Sequence, residues 1–208
     1  MRIARDRKSW EQALEGVEPL STYCSWEWVS AAAEWVDRGI PELAVHECKH
    51  GKLVHPCVRR CIPGGKHRDL TSAFDFGGFW GTKTCLEEFD REWAHHCRRH
   101  GVVSEFVRLH PDSLAPPSYR VRKVRENVVV PLAGDYEAAF DPKLRADLRK
   151  AQSNNLLRDG VPWERFLELH HAQVRKLGRD PYYLFPLEWL FALPSVSCVG
   201  AYETMLLP

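Results

Sequence analysis

The feature that most constrains this fold is an amphipathic helix pattern that leads through one glycine into a strand pattern. Residues 83–101 repeat large apolar side chains, among them Phe89 and Trp93, at helical spacing. Gly101 stands where a helix commonly ends, and residues 102–110 read VVSEFVRLH, as in a strand. A helix that continues through glycine into a strand is a unit of α/β folds.

Two further patterns precede this unit. Residues 25–39 predict an amphipathic helix that ends at Gly39. Residues 41–60 predict a β-hairpin whose turn falls at His50 and Gly51. Together these segments predict a mixed α/β (α+β) domain in which helices flank a mixed sheet.

A domain boundary is predicted near residue 135, so that residues 1–135 form a first domain and residues 136–208 a second. Asp141 followed by Pro142 is typical of a helix start. The second part carries four secondary-structure patterns: helices over 141–152, 162–178 and 186–193, and a strand over 196–208. No later segment would pair with that strand, so the second domain is expected to be incomplete.

Charge and composition exclude several classes of protein. The 29 Lys and Arg residues balance 28 Asp and Glu residues, so any phosphate site has to be a local patch. No apolar run approaches the roughly 20 residues that span a bilayer. The basic start MRIARDRKSWEQ lacks the apolar core of a secretory signal, so we expect a cytoplasmic protein without a membrane span.

The seven cysteines follow no regular spacing. In a cytoplasmic chain we expect them to be reduced and mostly buried. The alternative is a metal site built from Cys48, His50, His55, Cys57 and Cys61. Because this spacing matches no familiar zinc pattern, no metal is expected.

The segment DLTSAFDFGGFWG, which begins at Asp69, combines acids, aromatic rings and paired glycines. Asp69 and Asp75 suit the binding of an amine or hydroxyl group, and Phe76 and its aromatic neighbours suit an apolar wall. Gly77 and Gly78 allow a ligand to approach the backbone closely. The alternative is a hairpin loop that packs its rings onto the core.

A basic strand end follows the predicted helix. Arg108 and His110 alternate with apolar residues and share the strand face of Phe106. They would project into a cleft if they lie at the end of the strand. The alternative is an ordinary exposed sheet edge.

A pair of guanidinium groups lies on the helix predicted over 141–152. Arg145 and Arg149 are four residues apart, so they are neighbours on one helix face. Two adjacent guanidinium groups suit bidentate binding of phosphate or carboxylate. The alternative is a solvated helix face that Asp147 partly neutralises.

Several familiar catalytic motifs are missing from the sequence. It contains no G-x-S-x-G, G-x-x-x-x-G-K-S/T, H-E-x-x-H or G-x-G-x-x-G. Hydrolase, P-loop, zinc-protease and dinucleotide-binding functions therefore lack support.

Taken in order, several segments resemble the FemAB-like branch of the GNAT acyltransferase superfamily. The segments DLTSAFDFGGFWG, SEFVRLHP and LRADLRKAQ are similar to that branch's D-L-T-S/T-x-Y-G-Y-G-G, E-F-x-R-F-H-P and R-x-x-I-R-K-A. The hairpin HGKLVHPCVRR, the strand VVVPL and the segment YYLFPLEWL extend the resemblance over roughly residues 20–208.

The resemblance implies two GNAT-like domains, of which the second is incomplete, and transfer of an acyl or aminoacyl group to an amine. The donor would be acyl-CoA or aminoacyl-tRNA, and the acceptor a small-molecule or glycan-linked amine of a cell-envelope or polysaccharide precursor. In that reaction Asp69 and Asp75 would orient the acceptor, one of them acting as base. Phe76, Gly77, Gly78, Arg108 and His110 would line the acceptor cleft, and Arg145 and Arg149 would hold donor or acceptor phosphates.

The chain departs from the family's pattern in length and in the donor site. Family chains usually exceed 300 residues, and the Gly-rich pyrophosphate loop of GNAT enzymes has no counterpart here. We therefore expect a fragment, a decayed copy, or one half of a split gene whose second domain a separate chain completes. The alternatives to a transferase are a non-catalytic module that binds a ligand or partner, and a protein that contacts RNA. The RNA contacts would come from the basic helix predicted over 141–152 together with Arg120, Arg122, Lys123 and Arg125.

Overall fold

The computed structural model describes residues 1–124, 126, 134, 136–153, 157–159, 162–193 and 199–201. The chain divides into two compact units, centred on Met1–Lys123 and on Val124–Leu190. Residue 135, where the boundary is predicted, the predicted VVVPL strand and most of the predicted strand over 196–208 lie outside the described residues.

The first unit is a mixed sheet with flanking helices, as the sequence predicts. Its strands are β1 (Arg2–Ala4), β2 (Ile40–Cys48), β3 (Gly51–Cys61), β4 (Arg68–Thr71), β5 (Trp80–Gly81) and β6 (Val102–Phe106). Its helices are α1 (Arg7–Leu14), α2 (Trp26–Ala31, which continues as a wider π turn over Ala32–Val36) and α3 (Leu86–Arg99).

The sheet runs in the order β1-β2-β3-β4-β6, and β5 pairs with the first part of β3. All of these pairs are antiparallel except β4 with β6, which is parallel. The predicted hairpin is confirmed, since β2 and β3 pair along their full length and Cys48 lies opposite Gly51. The parallel pair is possible because α3 supplies the crossover that returns the chain to the same end of the sheet.

Alternating residues of β2 and β3 face two apolar layers. On one side, Val45 and Val54 pack with Trp10 of α1 and Val29 of α2. On the other side, Ala44, Leu53 and Cys57 pack with rings of α3 and of the loop before β5. The period-two alternation of the strands thus buries both faces of the sheet.

The predicted helix–glycine–strand unit is confirmed over most of its length. Phe89 and Trp93 are buried on α3, and Gly101 has φ +68°, the left-handed conformation that ends a helix. The strand is shorter than predicted, since β6 ends at Phe106. Beyond it, Leu109 makes a parallel bridge to Gly77.

The chain start forms a strand and a helix that the sequence patterns did not predict. β1 pairs with β2 as an edge strand. Asp6 then begins α1, because its side chain accepts a hydrogen bond from the backbone N–H of Ser9. This helix buries Trp10, whose Nε1 donates to the carbonyl of Cys24 at 2.8 Å.

The second unit contains three helices and two short strands among its described residues. They are α4 (Pro142–Ser153), β7 (Leu157–Asp159), α5 (Trp163–Lys176), α6 (Leu187–Ala192) and β8 (Val199–Ala201). β7 and β8 pair antiparallel. The predicted start of α4 is confirmed, since Asp141 Oδ1 accepts from the backbone N–H of Leu144 at 2.8 Å.

Two cysteines differ from the expected state. Cys48, at the end of β2, and Cys85, just before α3, form a disulfide. The expectation of reduced thiols is therefore wrong for this pair. Cys24 and Cys57 are free and buried as expected, and burial raises the pKa of the Cys24 thiol to about 12.

Candidate functional site

The glycine loop and the basic strand end meet through paired backbone hydrogen bonds. The N–H of Gly77 donates to the carbonyl of Arg108 at 2.8 Å, and the N–H of His110 donates to the carbonyl of Gly77 at 2.9 Å. Two bonds between the same short segments fix their register. The structure thus brings together two of the segments that the sequence analysis selected.

Glycine is required at both loop positions because neighbouring side chains occupy the space of a β-carbon. A Cβ at Gly77 would lie 2.6 Å from the Cβ of Ser72. A Cβ at Gly78 would collide with the side chain of Ser113, and φ there is +141°. The paired glycines therefore serve close packing of backbone against Ser72 and Ser113.

A cluster of polar and aromatic side chains surrounds this junction. We call Tyr23, Asp75, Phe76, Trp80 and His110 the loop cluster. The hydroxyl of Tyr23 donates to Asp75 Oδ2 at 3.1 Å. The ring of His110 lies 5.6 Å from that of Phe76, 5.2 Å from that of Trp80 and 5.8 Å from that of Tyr23, between centroids. The loop cluster combines one carboxylate with one imidazole in an aromatic setting.

The protonation of the loop cluster follows from its contacts. Burial, together with the charge and hydrogen bond of Asp75, raises the pKa of Tyr23 to about 12, so the hydroxyl stays a donor. His110 Nδ1 accepts from the backbone N–H of Asp112 at 3.2 Å. A neutral His110 therefore carries its proton on Nε2 and offers a hydrogen-bond donor there.

Asp75 adopts an uncommon backbone conformation. Its φ is +72°, in the left-handed region, which Asp and Asn tolerate better than other residues with a side chain. This conformation turns the chain just before Phe76. Asp75 therefore shapes the backbone of the loop in addition to supplying a carboxylate.

Asp69 has a different partner from Asp75. It lies on β4 opposite Arg60 of β3, whose Nε and Nη2 donate to its two carboxylate oxygens at 3.1 and 2.6 Å. This bidentate pair holds both oxygens of Asp69. Of the two predicted catalytic acids, Asp75 is the one that belongs to the loop cluster.

The arginines of the predicted site lie in different settings. The backbone N–H of Arg108 donates to Ser72 Oγ at 3.2 Å, and its guanidinium carbon lies 5.6 Å from the ring centroid of Phe106. Arg145 and Arg149 are exposed on α4 of the second unit. Their binding of phosphate stays a prediction.

A polar network that the sequence analysis missed lies behind the loop. We call His55, Trp93, Glu105 and Tyr119 the buried network. Glu105 accepts from Trp93 Nε1 at 2.9 Å and from the Tyr119 hydroxyl, and it lies 2.7 Å from His55 Nε2. His55 Nδ1 donates to the carbonyl of Gly78 at 2.8 Å, so the network supports the glycine loop from the core.

The buried network holds a charge inside the core. Burial acts to raise the pKa of Glu105, but the charge of His55 and the three hydrogen bonds lower it overall. Burial and the nearby carboxylate raise the pKa of Tyr119, so it remains a donor. The sequence gives one indication of this network. Glu105 shares a predicted strand face with Val107 and Leu109, so it is an acid on an otherwise apolar face.

His55 also bears on the zinc alternative. Its two ring nitrogens contact Gly78 and Glu105, and Cys48 is bonded to Cys85. The set Cys48, His50, His55, Cys57 and Cys61 is therefore not arranged as a metal site in this structure.

A second candidate region lies at the other end of β4. We call the residues Arg5, Arg59, Lys66, Arg68, His96 and His100 the basic pocket, which also includes Glu42 and encloses about 390 Å³. Arg5 and Arg59 both donate to Glu42 Oε1, at 2.8 and 2.7 Å. The Nη1 of Arg68 donates to two backbone carbonyls. Cations therefore outnumber the acid in this pocket, which suits an anion.

Comparison of this chain with family models, with curated proteins and with solved structures finds no match. Among the residues that the structure describes, no helix has the length and apolar character needed to cross a membrane.

Proposed function

We propose that this chain is an N-acyltransferase of the FemAB-like GNAT type. It transfers an acyl or aminoacyl group to an amine of a cell-envelope or polysaccharide precursor in the cytoplasm, where acyl-CoA and aminoacyl-tRNA serve as donors. The observation that carries the proposal is the junction of Gly77 with Arg108 and His110, which sets a carboxylate and an imidazole among aromatic rings.

The proposed reaction needs three contributions from the protein. A neutral amine attacks the thioester or ester carbonyl, the C–N bond forms, and the C–S or C–O bond breaks as the thiol or the tRNA hydroxyl leaves. The protein has to position the amine, accept its proton, and stabilise the oxyanion of the tetrahedral intermediate. Each contribution can be assigned to residues of the predicted site.

Asp75 is assigned to the acceptor amine. In this assignment its carboxylate orients the amine and receives the proton that the amine loses. The Tyr23 hydroxyl donates to Asp75 Oδ2 at 3.1 Å and so orients the carboxylate. Asp69 is instead assigned a positioning role, because Arg60 binds both of its oxygens.

His110 and the paired arginines complete the assignment. A neutral His110 with its proton on Nε2 supplies a donor for the oxyanion. Arg145 and Arg149 are assigned to the phosphates of the donor, since four-residue spacing on α4 makes them neighbours. In this proposal the second unit is the beginning of a second GNAT-like domain.

The test is an acyl-transfer assay with defined probes. Acetyl-CoA and glucosamine are incubated with the chain, and both the release of free CoA thiol and the N-acetylated product are measured. We expect Asp75→Asn to lower turnover about 100-fold or more, the usual contribution of a general base. Glu34→Gln, at an exposed position of α2's extension, is the control and should leave turnover unchanged.

The same assay is repeated with an aminoacyl-tRNA donor, because the resemblance covers both donor classes. A transferase is supported if CoA thiol is released, or the aminoacyl-tRNA is deacylated, only when the amine is present and Asp75 is intact. A folded chain that turns over neither donor contradicts the proposal.

The basic pocket favours one alternative, a non-catalytic module that binds an anionic ligand. Lys66 and Arg68 stand beside His100 in a pocket whose described acid, Glu42, is shared by Arg5 and Arg59. For this function, pyrophosphate should bind with an affinity that falls as salt rises. Arg68→Ala should weaken binding, whereas Arg179→Ala, the loss of an exposed arginine that does not line this pocket, should not.

A further inference from the structure

A histidine on β2 has one ring nitrogen that is buried without a hydrogen bond among the described residues. The side chain of His46 is 3% exposed and faces α3. Within the described part of the chain, its Nε2 atom is buried and makes no hydrogen bond. Buried polar atoms nearly always have a hydrogen-bond partner. A buried nitrogen that makes no hydrogen bond therefore points to a bound ligand.

The other nitrogen of the ring is already oriented. His46 Nδ1 lies 3.0 Å from Glu92 Oε2, and the same carboxylate oxygen binds the chain's N-terminal ammonium at 2.9 Å. A carboxylate that accepts from Nδ1–H leaves the lone pair of Nε2 free. This carboxylate–histidine arrangement is the one that commonly positions a histidine ligand of zinc.

Two further residues offer ligand atoms beside this ring. Glu88 Oε2 lies 3.5 Å from His46 Nε2. One ring nitrogen of His46, Cys48 Sγ and one carboxylate oxygen of Glu88 all lie within 4.8 Å of one another. Ligand atoms of a tetrahedral zinc are roughly 3.3 to 3.8 Å apart. The group therefore has to contract by about 1 Å, and the half-exposed Glu88 side chain can supply that movement.

The group is reached from solvent through a surface pocket. Cys48 and Glu88 line it, together with His50, Glu87 and Arg91. Its volume is about 480 Å³, so water and hydrated ions can enter. A metal site needs such a path.

We propose that His46, Cys48 and Glu88 form a zinc site that the Cys48–Cys85 disulfide switches. Water fills the fourth position of the metal. The site is closed in the oxidised chain, because a disulfide sulfur is not a thiolate ligand, and it opens when the disulfide is reduced.

The redox step balances with a dithiol as the reductant. The dithiol gives two electrons and two protons, the bond between the two sulfurs breaks, Cys48 and Cys85 become thiols, and the dithiol leaves as its own disulfide. Zinc then displaces the proton of the Cys48 thiol to the solvent. Cys85 is 1% exposed in the core layer next to α3, so it returns to that layer as a thiol.

Cobalt(II) is the probe, because its spectrum reports thiolate ligands directly. The full chain is reduced with a phosphine, which becomes its oxide while water supplies the oxygen and protons, and is then titrated with cobalt(II). We expect a thiolate-to-cobalt charge-transfer band that zinc abolishes by displacement. The oxidised chain should show no such band.

Variants separate this site from adventitious binding. Cys85→Ser leaves Cys48 free without reductant, so it should give the band under oxidising conditions as well. Cys48→Ser should abolish the band in every state. Glu92→Gln should weaken zinc binding by roughly 10 to 100-fold, as expected when the carboxylate behind a histidine ligand is lost.

Glu87→Gln is the matched control for Glu88→Gln, since both acids lie in the first turn of α3 and line the same pocket. Only Glu88→Gln should weaken zinc binding. Any of four results would overturn the proposal. The charge-transfer band could persist in Cys48→Ser, or the reduced and oxidised chains could bind zinc equally. Glu87→Gln and Glu88→Gln could weaken zinc binding equally, or the band could be absent from both the reduced chain and Cys85→Ser.

Discussion

The loop cluster and the buried network have the same kinds of side chain on opposite sides of the Gly77–Gly78 turn. Each joins one carboxylate to a histidine, a tyrosine and a tryptophan. In the buried network, His55 is 0% exposed and Glu105 has three donors. In the loop cluster, the side chain of His110 remains 23% exposed.

This difference separates stability from reactivity. A buried carboxylate is tolerated only when it is paired and hydrogen-bonded, and a group with all its partners in place has no bond to offer a substrate. Asp75 is half-buried instead, so its carboxylate remains within reach of solvent and of a substrate that arrives from it. We therefore assign structural support to the buried network and chemistry to the loop cluster.

The largest expected effect is the loss of Glu105. Glu105→Ala leaves the charge of His55 and the donors of Trp93 and Tyr119 without their partner. Breaking a buried pair in this way costs about 3–5 kcal/mol of unfolding free energy. Chemical denaturation measures this loss, and Ser104→Ala, at an exposed position of the same strand, should change stability by less than about 0.5 kcal/mol.

A double variant tests whether the cost comes from the pair. If His55 and Glu105 form one unit, replacing both with apolar residues should cost less than the sum of the two single replacements. Additive losses would contradict the assignment of these residues to one network.

The next effect is at the turn between the two regions. Gly78→Ala forces a side chain into a backbone with φ +141° and against Ser113. We expect a loss of about 1–3 kcal/mol, together with loss of the Gly77 junction. Gly16→Ala is the control, since Gly16 has φ +72° and, among the described residues other than its chain neighbours, no atom lies within 4 Å of a new Cβ. Equal losses for the two variants would show that contact with Ser113 has no role.

A smaller effect on stability is expected at Asp75, where chemistry should change instead. Asn tolerates the same backbone conformation, so Asp75→Asn should cost less than about 1 kcal/mol. Removing the carboxylate charge should lower the pKa of Tyr23 from about 12, although burial keeps it above the ordinary value of 10.0. Ultraviolet titration of tyrosine, with Tyr23→Phe to assign the signal, measures this shift. An unchanged titration would contradict the contact between Tyr23 and Asp75.

Local patterns explain which parts of this comparison could be predicted from the sequence. The turn between β2 and β3, the end of α3 at Gly101 and the start of α4 at Asp141 each depend on a few adjacent residues. The partners of the acids depend on strand register instead. Asp69 meets Arg60 across β3 and β4, and His55 meets Glu105 across 50 residues of sequence.

Register across a parallel pair is not encoded in either strand alone. A one-residue slip of β6 against β4 would turn Glu105 to the other face of the sheet. The sequence could therefore show that Glu105 is unusual among its apolar neighbours, but not that His55 would neutralise it. For the same reason it could name Asp69 and Asp75 but not separate their roles.

The smallest expected effect is a pH dependence at the outer surface of the buried network. His96 of α3 stacks on Trp93 with 5.3 Å between ring centroids. Burial, followed by the charge of nearby His100, lowers the pKa of His96 below its ordinary value of 6.5. Between these two values the unfolded chain binds more protons than the folded chain, so this group reduces stability as the pH falls through 6.5.

Glu105 titrates with the opposite preference and in a lower range. Its pKa is lowered from 4.5, so its contribution to stability is present above that value and is lost only as the pH falls below it. Unfolding free energies of the chain and of His96→Asn, measured from about pH 7.5 to about pH 5.5, isolate the histidine. We expect the variant to lose less stability over this range than the parent chain. Identical pH profiles would show that His96 is solvated in the folded chain, and that the surface of Trp93 is open rather than covered.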